Sequence, residues 1–234
     1  MIRGKIIGDR DPMPNKFQLY FRWVAANALG ELFGLGATFA VGALALTYLG
    51  DLPGVGMVLL MFVIAVASGA IEATVVGLLQ WWAMHPWFAA IQRRSWWLAT
   101  LAGALSAYVL GYLPSTIMNL SQAVEPAASA PVAEPPQWII LLLAAGMGAV
   151  AGAVLSFAQW LVLRKAAARA GWWIPANMLA WLGGMPIIFW GIDAAQKVQS
   201  LGGALLLMAL VLLLAGVVVG GIHGVFLVCL RPAQ

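Results

Sequence analysis

Charge and cysteine are what this chain has least of. Only 9% of its 234 residues are charged and 63% are hydrophobic, against about 25% and roughly 45–50% in soluble domains. That balance leaves too little polar side chain to cover a water-facing globule, so the chain reads as an integral membrane protein. A single cysteine, Cys229, excludes an intrachain disulfide framework and a cysteine metal site. Also missing are a Gly-x-Ser-x-Gly elbow, a His-Glu-x-x-His pair, a phosphate-binding Gly-Lys-Ser/Thr and any extramembrane segment long enough for a nucleotide domain. No enzymatic activity and no cofactor or metal is expected. Residues 1–22 lack the apolar core and small-residue cleavage pattern of a signal peptide and read as a cytoplasmic arm. The net charge of +4 does not imply nucleic acid, because the basic residues sit beside apolar runs.

Those runs are what the chain has most of. A span needs about 20 mostly apolar residues, and six segments qualify: Trp23–Tyr48, Val55–Met84, Trp96–Ile117, Trp138–Leu163, Trp173–Ile192 and Leu201–Leu230. The predicted fold is an all-α bundle of six transmembrane helices forming one membrane domain over 23–230. Six spans put both termini on one side. Of the 12 basic residues, all but Lys197 fall there, which makes that side cytoplasmic. The loop at 119–137, rich in Ala, Pro, Ser and Glu, reads as an external mobile segment. Most of the 12 tryptophans, Trp23, Trp96 and Trp173 among them, fall near the inner interface, where an aromatic belt explains them.

The spans also repeat. Trp23, Asn27 and Gly30 align with Trp96, Thr100 and Gly103, and with Trp173, Asn177 and Ala180, opening the odd-numbered spans. The even-numbered spans carry small residues at four-residue spacing: Gly69, Ala73, Gly77; Gly148, Gly152, Ser156; and Gly216, Gly220, Gly224. Residues four apart share a helix face, and small ones let backbones approach closely in lipid. Gln80-Trp81 and Gln159-Trp160 follow the first two ladders; Leu227-Val228 is a degenerate third copy. The expectation is three parallel two-helix hairpins, over about 23–84, 96–163 and 173–230, in a pseudo-threefold bundle.

The Trp-Trp openings, the Gly-rich run into Gln159-Trp160, and Trp172, Trp173 and Asn177 beyond it resemble a group of uncharacterised bacterial multi-pass membrane proteins with such hairpins. The resemblance covers most of the chain and is strongest over 148–181. It implies a bacterial inner-membrane protein and carries no activity with it.

Glu31 and Glu72 are the acidic residues deep within spans. At 1.5 Å per residue, Glu31 lies about 12 Å beyond Trp23 and Glu72 about 15 Å before Trp82, both near the midplane. A buried charge there costs on the order of 2.5–3.5 kcal/mol on insertion scales, so such residues face a cavity, a partner or a functional path. They stand on antiparallel helices of one hairpin and could share a proton or hold a cation. Helical spacing groups Glu31 with Asn27, Ala28, Gly34, Thr38 and Gly42, which makes Asn27 a candidate hydrogen-bond partner. Asn27, Thr100, Asn177, Gln80 and Gln159 read as polar helix-packing residues. His85 falls at a span end. His223, within the third ladder, is a weak candidate for haem or metal ligation. Pro186 is expected to kink or interrupt the fifth span.

Three functions fit these features. Buried glutamates in a repetitive bundle suggest a transport or channel component handling a proton or cation. Extensive small-residue faces suggest instead an accessory subunit of a larger membrane complex or a homo-oligomer. Trp-rich inner ends suggest binding of a quinone, pigment or lipid. The bilayer is a partner in every case.

Overall fold

The computed structural model describes residues 15–50, 54–124 and 135–232. The chain forms α1 (Lys16–Gly30), a π-helical turn (Glu31–Leu35), α2 (Gly36–Leu49), α3 (Val55–Met84), α4 (Arg93–Val124), α5 (Gln137–Leu163), α6 (Trp173–Gln196) and α7 (Leu201–Cys229). Two-residue strands β1 (Ala167–Ala168) and β2 (Arg231–Pro232) pair antiparallel and join the chain's end to the α5–α6 connection. With α1, the π turn and α2 continuous, six helices are long and apolar enough to cross a membrane. Helix is the form that satisfies every backbone N–H and C=O within its own segment, as hydrocarbon requires. Where helices begin near water, side chains take the free N–H groups: Asn15 accepts from Phe17 at 3.0 Å and Ser200 from Gly203 at 3.2 Å.

Each span packs on the next in chain order, and α7 returns to pack along α1, so the six close into a ring. Glycines set the closest approaches, in two directions. A Cβ at Gly30 or Gly34 would meet Val76 at 3.0 Å or the Cα of Glu72 at 2.9 Å, so these glycines bring α1 and the π turn onto α3. The ladders of α3, α5 and α7 face the other way. A Cβ at Gly77 would meet Thr100 at 3.2 Å, one at Gly152 the carbonyl of Asn177 at 2.5 Å, and one at Gly216 the Cα of Ala28 at 2.6 Å. The first ladder therefore docks on α4, the second on α6 and the third on α1. Ala73, Gly148, Ser156, Gly220 and Gly224 are buried along the same faces.

Several sequence expectations change. The first helix begins at Lys16, so 16–22 are helical and continuous with the first span; residues 1–14 lie outside the described ones. The segment 119–137 is not all loop, since α4 runs through Pro114 to Val124 and α5 begins at Gln137; residues 125–134 lie outside the described ones. Pro186 does not interrupt α6, which is continuous from Trp173 to Gln196. The departure from α-geometry falls in the first span instead, at Glu31–Leu35, where no proline occurs. A π turn adds a residue to the helical repeat and rotates everything beyond it. Gly42 accordingly leaves the close-packed face, and a Cβ there would meet nothing within 4 Å.

The aromatic belt also needs correction. Trp23, Trp96 and Trp173 are fully buried and pack edge-on, with Trp173 centred 5.7 Å from Trp23 and 6.2 Å from Trp96. Around them Leu19, Met84, Phe88, Ile91, Leu163 and Leu227 form an apolar plug across the end of the ring where the chain's two ends lie. These three rings are core. Trp82 and Trp172, and Trp138 and Trp190 at the opposite end, are the exposed ones a belt requires.

Candidate functional site

The π turn and Gly34 build the site. Gly34 lets the first span settle against the backbone of Glu72, and the π turn begins at Glu31. Gly34, one turn beyond Glu31, stands against the backbone of Glu72, so the structure brings the two glutamates to the same level of the α1–α3 contact. Their environments differ. Glu72 accepts a hydrogen bond from the Tyr108 hydroxyl of α4. Glu31 is 1% exposed, and its Oε2 has no hydrogen-bond partner. Asn27, the expected partner, is engaged elsewhere: its Nδ2 donates to the Trp23 carbonyl at 2.8 Å and its Oδ1 accepts from Gln80 at 2.8 Å. Among the described residues the ion pair present is Lys197–Asp193, at the far end, so neither buried glutamate is paired with a cationic side chain.

Tyr108 is a residue of the candidate site that sequence reasoning missed. Its ring lies over Gly69, where a Cβ would come within 2.8 Å of it, and its hydroxyl reaches Glu72 one turn further along α3. The signal was available as depth. Tyr108 is twelve residues beyond Trp96 and Glu72 twelve before Met84, which places both about 18 Å from the same end of their helices.

Glu72 lines a cavity of about 440 Å³ inside the ring. Its walls come from the first five spans and include Phe39, Tyr108, Tyr112, Trp181 and Phe189. The lining runs from Glu72 and Leu155 toward Ser115, Met147 and Ile192, so the cavity occupies the half of the ring away from the termini. Glu72 is the charged residue in that lining, and Glu31 stands behind it, off the wall.

Beneath the cavity the ring is closed by polar bonds. Gln80 donates to Asn27 at 2.8 Å; Gln159 donates to Thr100 at 3.0 Å and to Gln80 at 3.2 Å, and accepts from the Trp173 indole at 2.9 Å. Asn177 stays outside this chain of bonds and caps the Trp173 carbonyl at 2.9 Å, as Thr100 caps that of Trp96. On α7, His223, one turn before Leu227, makes a polar bond to the first span. The His223 Nδ1 accepts from the Trp23 indole at 2.8 Å, and its ring packs between Trp23 and Trp173. Those contacts make His223 a buried core residue. His85 ends α3 stacked on Trp81. No group of three or more His, Cys, Asp or Glu side chains among the described residues could hold a metal ion.

The fold and the site define a multi-pass helical membrane protein with an internal cavity lined by one buried glutamate, Glu72, and a second, Glu31, behind it. Comparison with protein-family models, with curated proteins and with solved structures found no match.

Proposed function

We propose that the protein is a small transport component, without enzymatic activity, in which Glu31 and Glu72 take up and release a proton or a cation. The observation that carries this reading is the unequal carboxyl pair. Glu72 reaches the cavity wall at membrane depth, and Glu31 lies behind it with an oxygen that no protein group satisfies. An uncompensated carboxylate in that setting is costly, so the pair needs a proton or an external cation. A cavity at Glu72 in one half of the ring, with an apolar cluster across the other, fits one half of alternating access. The apolar plug and the Gln80–Asn27–Gln159 network are the barrier that has to rearrange for the other half.

The reading places the protein in a bacterial inner membrane with both termini cytoplasmic, supported by the gathering of the described basic residues, all but Lys197, at the plugged end. Three hairpin repeats supply the ring, an arrangement favoured by the common use of the ladders. The accessory-subunit reading is the weaker one, because the small-residue faces it would offer to another chain are filled by this chain's own helices.

The test is proton and monovalent-cation flux in vesicles containing the purified protein under an imposed pH gradient. Glu72→Gln and Glu31→Gln are expected to abolish the flux. Equal flux in the wild type and both variants would overturn the reading.

A further inference from the structure

We infer that the cavity is a binding site for a lipophilic organic cation, an ammonium group on an aromatic or branched apolar body, with Glu72 as its counter-ion. The inference deepens the transport reading by naming a substrate class, and it rests on that reading only for what the bound cation does next. Three features of the lining point to this chemistry. At about 440 Å³ the cavity falls within the range of small-ligand sites. It has one formal charge, on Glu72, and no basic side chain among its lining residues, so it disfavours an anion. Its walls present Phe39, Tyr108, Tyr112, Trp181 and Phe189 around that carboxylate. Aromatic faces attract a cation through their quadrupoles and an apolar body through dispersion, which is how quaternary ammonium groups are recognised.

A bare metal ion fits less well. The oxygens at hand are the Glu72 carboxylate and hydroxyls such as those of Tyr108, Tyr112 and Ser115, in a mostly apolar lining, whereas hard cations take six or more oxygen ligands. The buried Oε2 of Glu31, behind the wall, is a second polar atom that no protein group satisfies, and among the described residues no cationic side chain pairs with either glutamate. The Tyr108 hydroxyl holds one carboxylate oxygen of Glu72 and fixes the group at the cavity wall.

The test uses the full chain in lipid nanodiscs with radiolabelled benzyltrimethylammonium as the probe and phenylmethanesulfonate, similar in shape and opposite in charge, as a competitor. Saturable binding is expected, unaffected by the sulfonate and weakened about ten- to hundredfold in Glu72→Gln, the range for losing a charged partner. Absence of saturable binding, equal binding in Glu72→Gln or displacement by the sulfonate would overturn the inference. Because Glu72→Gln could fail to fold, a second measurement stands apart from it. The probe is expected to change the tryptophan emission of the wild type and not of Trp181→Phe; a change of equal size in both also overturns the site. Cation binding without Glu72-dependent flux would remove the transport reading and leave the site. Glu72-dependent proton flux without cation binding would do the reverse.

Discussion

Replacing Glu31 with methionine should make the protein more stable while abolishing its flux. Glu31 is 1% exposed and its Oε2 lacks a partner, so the wild type carries the desolvation cost of an unsatisfied buried polar group, about 1–3 kcal/mol. Methionine is close to glutamate in length and volume and adapts to irregular space, so repacking should cost less than about 1.5 kcal/mol. The net expectation is a gain of about 1–2 kcal/mol, or roughly 2–8 °C in Tm on the scale of a domain this size. Glu72→Met provides the contrast. There the carboxyl has a partner, and its loss strands the Tyr108 hydroxyl at the cavity wall, so stability should fall by about 0.5–1.5 kcal/mol. Thermal unfolding of both variants in one detergent, followed by tryptophan emission, measures the difference. A drop in Tm for Glu31→Met, equal to or larger than that for Glu72→Met, would refute the reasoning by showing that Glu31 is held by the fold after all.

Two further outcomes follow from distances. Gly152→Ala should destabilise by about 1–3 kcal/mol, because its Cβ would stand 2.5 Å from the Asn177 carbonyl, a backbone atom that cannot step aside. Gly42→Ala has open space and should gain about 0.5–1 kcal/mol of helix propensity; thermal melts read both. Among the central tryptophans, Trp173→Phe breaks a 2.9 Å bond to Gln159, whereas the Trp96 indole nitrogen has no partner to lose. Trp96→Phe should therefore be milder by about 1 kcal/mol, measured as the difference in unfolding midpoint.

The spans and the helix faces were readable because hydropathy and four-residue spacing report on composition and rotation, which lipid constrains tightly. Val55–Met84 matches the expected second span at both ends. The pairing of Glu31 with Glu72 followed from depth arithmetic along two antiparallel helices. What stayed hidden depends on register and context. Nothing in Glu31–Leu35 marks a π turn, since its cost is met by packing that Gly30 and Gly34 make available only once α3 is in place. Trp23, Trp96 and Trp173 stand where interfacial tryptophans stand, and only the inward fold of 85–92, with Phe88 and Ile91 buried, turns that level into core. Helix α4 runs beyond its apolar window to Val124, with most of its last two turns exposed, and Pro114 sits within it without ending it.

The seam between α7 and α1 bears on how the protein is made. Gly216 and Gly220 close on the backbone of Ala28 and on Asn27, so the first helix to enter the bilayer waits for the last before one flank is covered. During synthesis that flank, with Asn27 and the His223-facing edge of Trp23, is open to lipid or to any chaperone that shields polar helix faces. A chain cut short before residue 201 would keep the glutamate pair and most of the cavity walls as an open horseshoe. Full-length synthesis is thus the step that closes five associated helices into a ring.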